Sequence, residues 1–142
     1  MREILFKAKR KDDGKWFKGD YQKRYDSFGK IEHLIFYSKS AIVWEYAEID
    51  ADTLCQYTEL NAYWDEEEAS VWEHDLLEVD YRGNKVIAEV KYECGMFILA
   101  SNEFVDSYIS LLDVVIHEDI GWVDAKVVGN VFDNPELLEK AR

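Results

Sequence analysis

Three histidines, two cysteines and thirty carboxylates carry what chemistry this chain could do. His33, His74 and His117 are isolated from one another, and His117-Glu118 lacks the second histidine of an HExxH zinc motif, because Gly121 occupies that place. The densest group is Glu73, His74, Asp75 and Glu78, whose oxygens and imidazole could hold a hard cation or move a proton. In a strand running on from Val71-Trp72, however, successive side chains alternate between faces. That separates Glu73 and Asp75 from His74 and Glu78, so the group reads as surface charge. Cys55 and Cys94 form no CxxC pair and sit in apolar, strand-like surroundings, where reduced, buried thiols are expected. No phosphate-binding glycine loop, nucleophile elbow or Ser/His/Asp signature occurs. Catalytic, cofactor-binding and metal-ligating residues are therefore assigned to none, and the chain is expected to be non-enzymatic and to need no cofactor.

The remaining candidates are for recognition. Five tryptophans, Trp16, Trp44, Trp64, Trp72 and Trp122, suit core or interface anchoring better than cofactor stacking. Trp64 stands beside Asp65-Glu66-Glu67-Glu68 and is the one expected to be exposed; Trp64, Asp65, Glu66, Glu67 and Glu68 form the candidate partner-binding segment. Charge is unevenly divided: residues 1–40 hold 11 Lys/Arg against 6 Asp/Glu (+5), and 41–142 hold 6 against 24 (-18). A field of that sign repels nucleic acid and attracts a basic protein partner. No membrane contact is expected: Ile4-Leu5-Phe6 is cut short by Lys7, Lys9, Arg10 and Lys11, and no apolar run approaches the ~18 residues a span requires. A cytoplasmic protein is the expectation.

Strands must position these residues. Glu3 to Lys9 alternates, Asp12-Asp13-Gly14-Lys15 marks a turn, and Trp16 to Tyr21 can pair back as a hairpin. Ile31 to Tyr37 and Ala41 to Ile49 are rich in β-branched and aromatic residues. Leu76 to Tyr81, Lys85 to Tyr92 and Met96 to Leu99 form a meander broken by Arg82-Gly83-Asn84 and Glu93-Cys94-Gly95, where glycine supplies a positive φ. Short twisted strands of this kind curl into a small barrel, which Trp122 to Phe132 could close. From Asn102 to His117, Phe104, Tyr108, Leu111, Leu112 and Val115 recur at helical spacing and predict a helix packed on the sheet.

The end of the chain, VVGNVFDNPELLEK from Val127 to Lys140, reads as a strand, a Gly129-Asn130 bulge or bend, and a short helix with Asn134 as N-cap and Pro135 at N1. Together with Arg2-Glu3-Ile4-Leu5-Phe6-Lys7, Asp13-Gly14-Lys15-Trp16, Gly19-Asp20 and Thr53-Leu54-Cys55-Gln56-Tyr57-Thr58-Glu59-Leu60, it resembles the YopX-like family of bacterial and prophage proteins. The resemblance covers both ends and the middle. It implies a mainly β fold: an N-terminal meander sheet (about 1–58) intertwined with a small SH3-like β-barrel plus helices (about 59–142), one helix around 102–117 and a short C-terminal helix. It brings no catalytic residue. Glu59 and His74 stand where the family prefers glycine, which requires a remodelled turn or strain wherever those glycines have positive φ. The functional expectation is a protein-interaction module acting through a barrel surface or strand edge, on a protein partner or on its own copy as a homo-oligomer. The alternative is an acidic nucleic-acid mimic filling the basic groove of a host DNA-binding protein.

Overall fold

A turn at 11–13 folds strand β1 (Phe6–Lys9) back on β2 (Trp16–Tyr25), pairing Phe6 with Gly19 and Lys9 with Trp16. Strands β3 (Ile31–Ser38) and β4 (Trp44–Glu48) continue the antiparallel order, with Tyr21 opposite Ile35 and Ile35 opposite Ala47. The computed structural model describes residues 4–64, 67–116 and 121–140, and the chain divides into two compact units, 1–57 and 58–142.

In the first unit Ala8, Ile35 and Ile49 make a small buried core, against which Phe6, Phe17, Tyr21 and Leu54 pack. Aromatic contacts extend it: Phe6 meets Tyr21 at 5.8 Å, Phe17 meets Tyr37 at 5.1 Å, and Tyr21 stacks on His33 with its hydroxyl 2.6 Å from Nδ1. Gly19 is where β2 needs to be bare. A Cβ there would run into the backbone carbonyl of Phe36 and lie 3.1 Å from Ile35 Cγ2, so only glycine permits this approach of β3. At the far end of the unit, the Lys9 N–H donates to Thr53 Oγ1 (2.8 Å), and that hydroxyl donates to the Asp50 carbonyl (2.7 Å). Thr53 is thus buried but satisfied.

Strand β5 (Cys55–Trp64) begins beside β1, with Cys55 opposite Lys7, and continues into the second unit. There β6 (Glu67–Trp72) pairs with β5, and the meander β7 (Asp75–Tyr81), β8 (Asn84–Glu93), β9 (Met96–Ala100) and β10 (Tyr108–Ser110) follows. Strand β11 (Trp122–Asn130) inserts between β7 (antiparallel) and β5 (parallel), so the order runs β10-β9-β8-β7-β11-β5. The meander turns are the two-residue loops Arg82-Gly83 and Cys94-Gly95, each with both φ values positive, as a type I′ hairpin demands. Ala62, Val71, Leu77, Val79, Val90, Leu99 and Val127 belong to the core these strands enclose.

Three expectations need correction. The segment from Asn102 to His117 is not a helix: Tyr108–Ser110 pairs with β9 and Leu111–Val114 is a single 3-10 turn, while His117 lies outside the described residues. Ser107 has φ 68, which breaks any helix before it, and Ser110 and Asp113 form a reciprocal capping box around the 3-10 turn. Phe104 and Leu111 are buried as the periodicity implied, but Tyr108 and Leu112 are exposed. Secondly, the strand through Val71 to Leu77 is interrupted by a turn at Glu73-His74. Thirdly, Cys55 is buried, donating to the Thr53 carbonyl at 3.2 Å, but Cys94 sits exposed in its turn.

The C-terminal stretch folds as a lock. The Asn130 N–H donates to Asn134 Oδ1 (3.2 Å), the Asn134 N–H returns a bond to the Asn130 carbonyl (2.9 Å), and Asn130 Oδ1 accepts from Phe132 and Asp133 N–H. Asn134 therefore caps the bend leaving β11, and α1 (Glu136–Lys140) starts after Pro135 with Leu137 N–H on the Asn134 carbonyl. The ladder shifts register between Val127 and Gly129, and a Cβ at Gly129 would collide with the Asn134 side chain.

Gly19→Ala is expected to lower unfolding stability by roughly 2 kcal/mol or more, because its clash is with backbone that cannot rotate away. Chemical denaturation checks this; a midpoint matching wild type would show that β2 and β3 separate freely.

Candidate functional site

The turn joining β6 and β7 brings His74 together with Glu73 and Glu89. His74 takes φ 70, a left-handed value costly for a residue with a Cβ. Its peptide is held on both sides: the His74 N–H donates to the Val90 carbonyl (2.7 Å) and its carbonyl accepts from Val131 N–H (3.0 Å). The ring is held too, with Nδ1 3.0 Å from Glu89 Oε2, Nε2 3.8 Å from Glu73 and its edge toward Phe132 at 5.5 Å. Asp75, buried, accepts from Trp72 N–H at 2.8 Å. The Glu89 carboxylate, hydrogen-bonded to the imidazole and aided by Glu73, raises the His74 pKa above its ordinary value against the opposing effects of burial and Lys91.

The turn therefore brings Glu73 to His74, as strand alternation would not, while Glu78 lies along β7, opposite Lys126 and Ile87. Glu89 is the member that spacing could not reveal, since it comes from β8 fifteen residues away. Among the described residues no cluster of three His, Cys, Asp or Glu side chains could hold a metal ion. His33 is occupied by the Tyr21 hydroxyl. An apolar cleft of about 420 Å³ in the second unit, lined by residues including Leu60, Met96, Phe97 and Leu112, has no titratable group among the described residues that line it.

The candidate partner segment is only partly visible: the Trp64 side chain, Asp65 and Glu66 lie outside the described residues, and Glu67 and Glu68 are exposed at the start of β6. Among the tryptophans whose side chains are described, the one standing out in solvent is Trp44. Along β4 and the loop before it, Ile42 is 90%, Trp44 61% and Tyr46 54% exposed, with Val43 also exposed between them. Arg24 lies over the Tyr46 ring at 4.8 Å, and Phe36 meets that ring at 5.5 Å. Glu45 bonds Lys39 and the Tyr37 hydroxyl, both at 3.1 Å, and the lysine, then the tyrosine, lower its pKa. Glu48 pairs with Lys11 at 3.3 Å. Residues 1–57 hold 11 Lys/Arg against 10 Asp/Glu (+1), and 58–142 hold 6 against 20 (-14), so this aromatic strip belongs to the nearly neutral unit. Alternation alone could not single it out, because each face of β4 carries a carboxylate, Glu48 beside Trp44 and Tyr46 and Glu45 beside Ala47.

The YopX protein family model matches residues 5–139. The chain belongs to the YopX family. It is also similar to the X-ray crystal structure of protein yopX from Bacillus subtilis, at 14% identity and a TM-score of 0.48 over 94% of this chain and 95% of that one. Among curated proteins, none matches. The YopX-type motifs now have physical reasons in this chain: Gly19 admits Phe36, Thr53 satisfies Lys9, Thr58 donates to the Val71 carbonyl at 2.7 Å, and Gly129 admits Asn134. Glu59, inside β5, and His74, the two positions where the resemblance leads to glycine, have positive φ values of 69 and 70, so both carry backbone strain.

Because the folded-state pKa of His74 is raised, its contribution to stability is fully present below the ordinary histidine pKa and is lost as pH rises through the folded value. The wild type should therefore lose more stability between pH 6 and pH 9 than His74→Asn, which tolerates the left-handed backbone but does not titrate. Denaturant midpoints across that range check this; parallel profiles would contradict it.

Proposed function

We propose that this YopX-family chain is a non-enzymatic protein-interaction module whose contact surface is the aromatic strip of β4. The observation that carries the reading is the run Ile42, Val43, Trp44 and Tyr46, exposed together along an edge strand and the loop that leads into it. Exposed strand edges bearing large apolar side chains are aggregation hazards unless something pairs with them. Trp44 and Tyr46 would anchor by burial, and Lys39, Glu45, Lys11 and Glu48 would form a mixed polar rim. The family resemblance adds an SH3-like barrel in the second unit, intertwined with the N-terminal meander, and a prophage protein working in the cytoplasm of a bacterial host. No direct nucleic-acid or membrane binding is part of this reading.

The acidic balance of 58–142, with Glu67 and Glu68 exposed, supports a second role for that unit. It would draw a basic protein, in the extreme by imitating nucleic acid in a basic groove, with Trp64 and Asp65 to Glu68 as the steering segment.

Affinity capture from bacterial lysate with wild type, Trp44→Lys and the pair Glu67→Gln/Glu68→Gln as baits separates the two. The strip reading expects a partner retained by the glutamine pair and lost from Trp44→Lys. Basic partners lost only from the glutamine pair would support the acidic reading, and partners indifferent to both changes would overturn both.

A further inference from the structure

The ladder between β3 and β4 determines which backbone groups of β4 are already used. Ile49 N–H donates to the His33 carbonyl at 2.9 Å, so by the alternation of an antiparallel pair Ala47 and Glu45 also bond inward, to Ile35 and Tyr37. The N–H and C=O groups of Trp44, Tyr46 and Glu48 then point away from β3. Glu48 is covered, because its carbonyl accepts from Lys11 N–H at 2.9 Å. Trp44 and Tyr46 direct theirs at the open edge, for β4 ends the strand order.

We infer that a second copy of this chain pairs antiparallel with β4, in the register that sets Trp44 opposite the partner subunit's Tyr46 and Tyr46 opposite the partner subunit's Trp44. This rests on the interaction-module reading and names its occupant. A register centred on Tyr46 would oppose Trp44 to the partner subunit's Glu48, whose outward side Lys11 fills. Centring on Glu45 uses only open groups. It also builds two aromatic cross-strand pairs on one face, a favourable side-chain arrangement for a strand pair. On the other face Glu45 meets the partner subunit's Glu45, and each copy brings its own Lys39 to offset that charge and its own Tyr37 hydroxyl to donate to the carboxylate. Nothing basic is needed from outside.

Charge favours the same occupant. The unit carrying β4 is at +1, whereas 58–142 is at -14, so the surface of the first unit repels a second copy less than that of the second unit does. A basic partner would instead be drawn to the other unit. The contact is short, three residues of edge with flanking side chains, so the dimer is weak and forms in the micromolar range or above.

Sedimentation equilibrium of the full chain from about 1 µM to about 1 mM tests this. The weight-average mass should rise from 16.7 kDa toward twice that value. Trp44→Lys should weaken association about ten-fold or more. Register is read by cysteine cross-linking in a Cys94→Ser background: Glu45→Cys should give disulfide-linked dimers and Tyr46→Cys should not, because only the central pair faces itself. Far-UV circular dichroism establishes that each variant is folded, and Glu45→Cys tests the register without touching the aromatic pair. A mass constant at 16.7 kDa to the highest concentration, or cross-linking at 46 in place of 45, overturns the proposal. If the chain stays monomeric yet Trp44→Lys loses a captured partner, the dimer fails and the interaction-module reading stands. If neither property responds to Trp44→Lys, both fail.

Discussion

The second unit depends on one peptide unit, that of His74. A histidine held at φ 70 stores about 1–3 kcal/mol of backbone strain, and it stays there because its surroundings leave it no alternative. Its N–H is committed to Val90 on β8, its carbonyl to Val131 beyond the end of β11, its ring nitrogen to Glu89 and its ring edge to Phe132. Asp75, next in sequence, is buried against Trp72 N–H and pairs with Asn130 across the ladder. One turn thus connects the β6 to β7 junction, the meander and the Asn130–Asn134 lock. A strained residue with a perturbed histidine invites a catalytic reading. Here the same groups are consumed in joining elements, and Glu89, the partner that raises the pKa, also fixes the ring.

Buried and strained polar groups collect where strands must be joined: Thr53 beneath the end of β1, Thr58 against β6, His74 at its turn. Exposed aromatics are scattered more widely, Tyr25, Phe28, Tyr92 and Tyr108 among them, but β4 sets two, Trp44 and Tyr46, on one face, and its carboxylates are each paired with a lysine of the same unit. Surface ion pairs of this kind add little to stability. They do let an apolar strip remain in water without placing a bare charge beside it, which is the condition an interface rim meets.

Local patterns made most strands legible. The hairpin from Phe6, the meander from Leu76 and the Gly129-Asn130 bulge follow from alternation and turn chemistry, and the type I′ turns from Gly83 and Gly95. The segment from Asn102 to His117 misled because apolar residues at helical spacing also arise when a turn, a three-residue strand and a 3-10 turn follow one another. The decisive features, φ 68 at Ser107 and pairing of Tyr108 with Ala100, depend on distant chain. The His74 group misled for a related reason: alternation fails across a turn, and Glu89 arrives from another strand. Trp44 could not be singled out among five tryptophans that suit core or interface alike, because each face of β4 pairs apolar residues with one carboxylate, Glu45 or Glu48.

Site-resolved native-state hydrogen exchange on dilute protein tests the account most directly, because it reads the His74 turn and the β4 edge in one experiment. The account predicts that the His74 and Val131 amides exchange only with opening of the whole second unit, at the free energy of its core amides, while the outward amides of Trp44 and Tyr46 exchange at rates close to those of open chain. Fast exchange at His74 and Val131 with slow exchange at Trp44 and Tyr46 would contradict it, locating the constraint at the edge and the freedom at the turn.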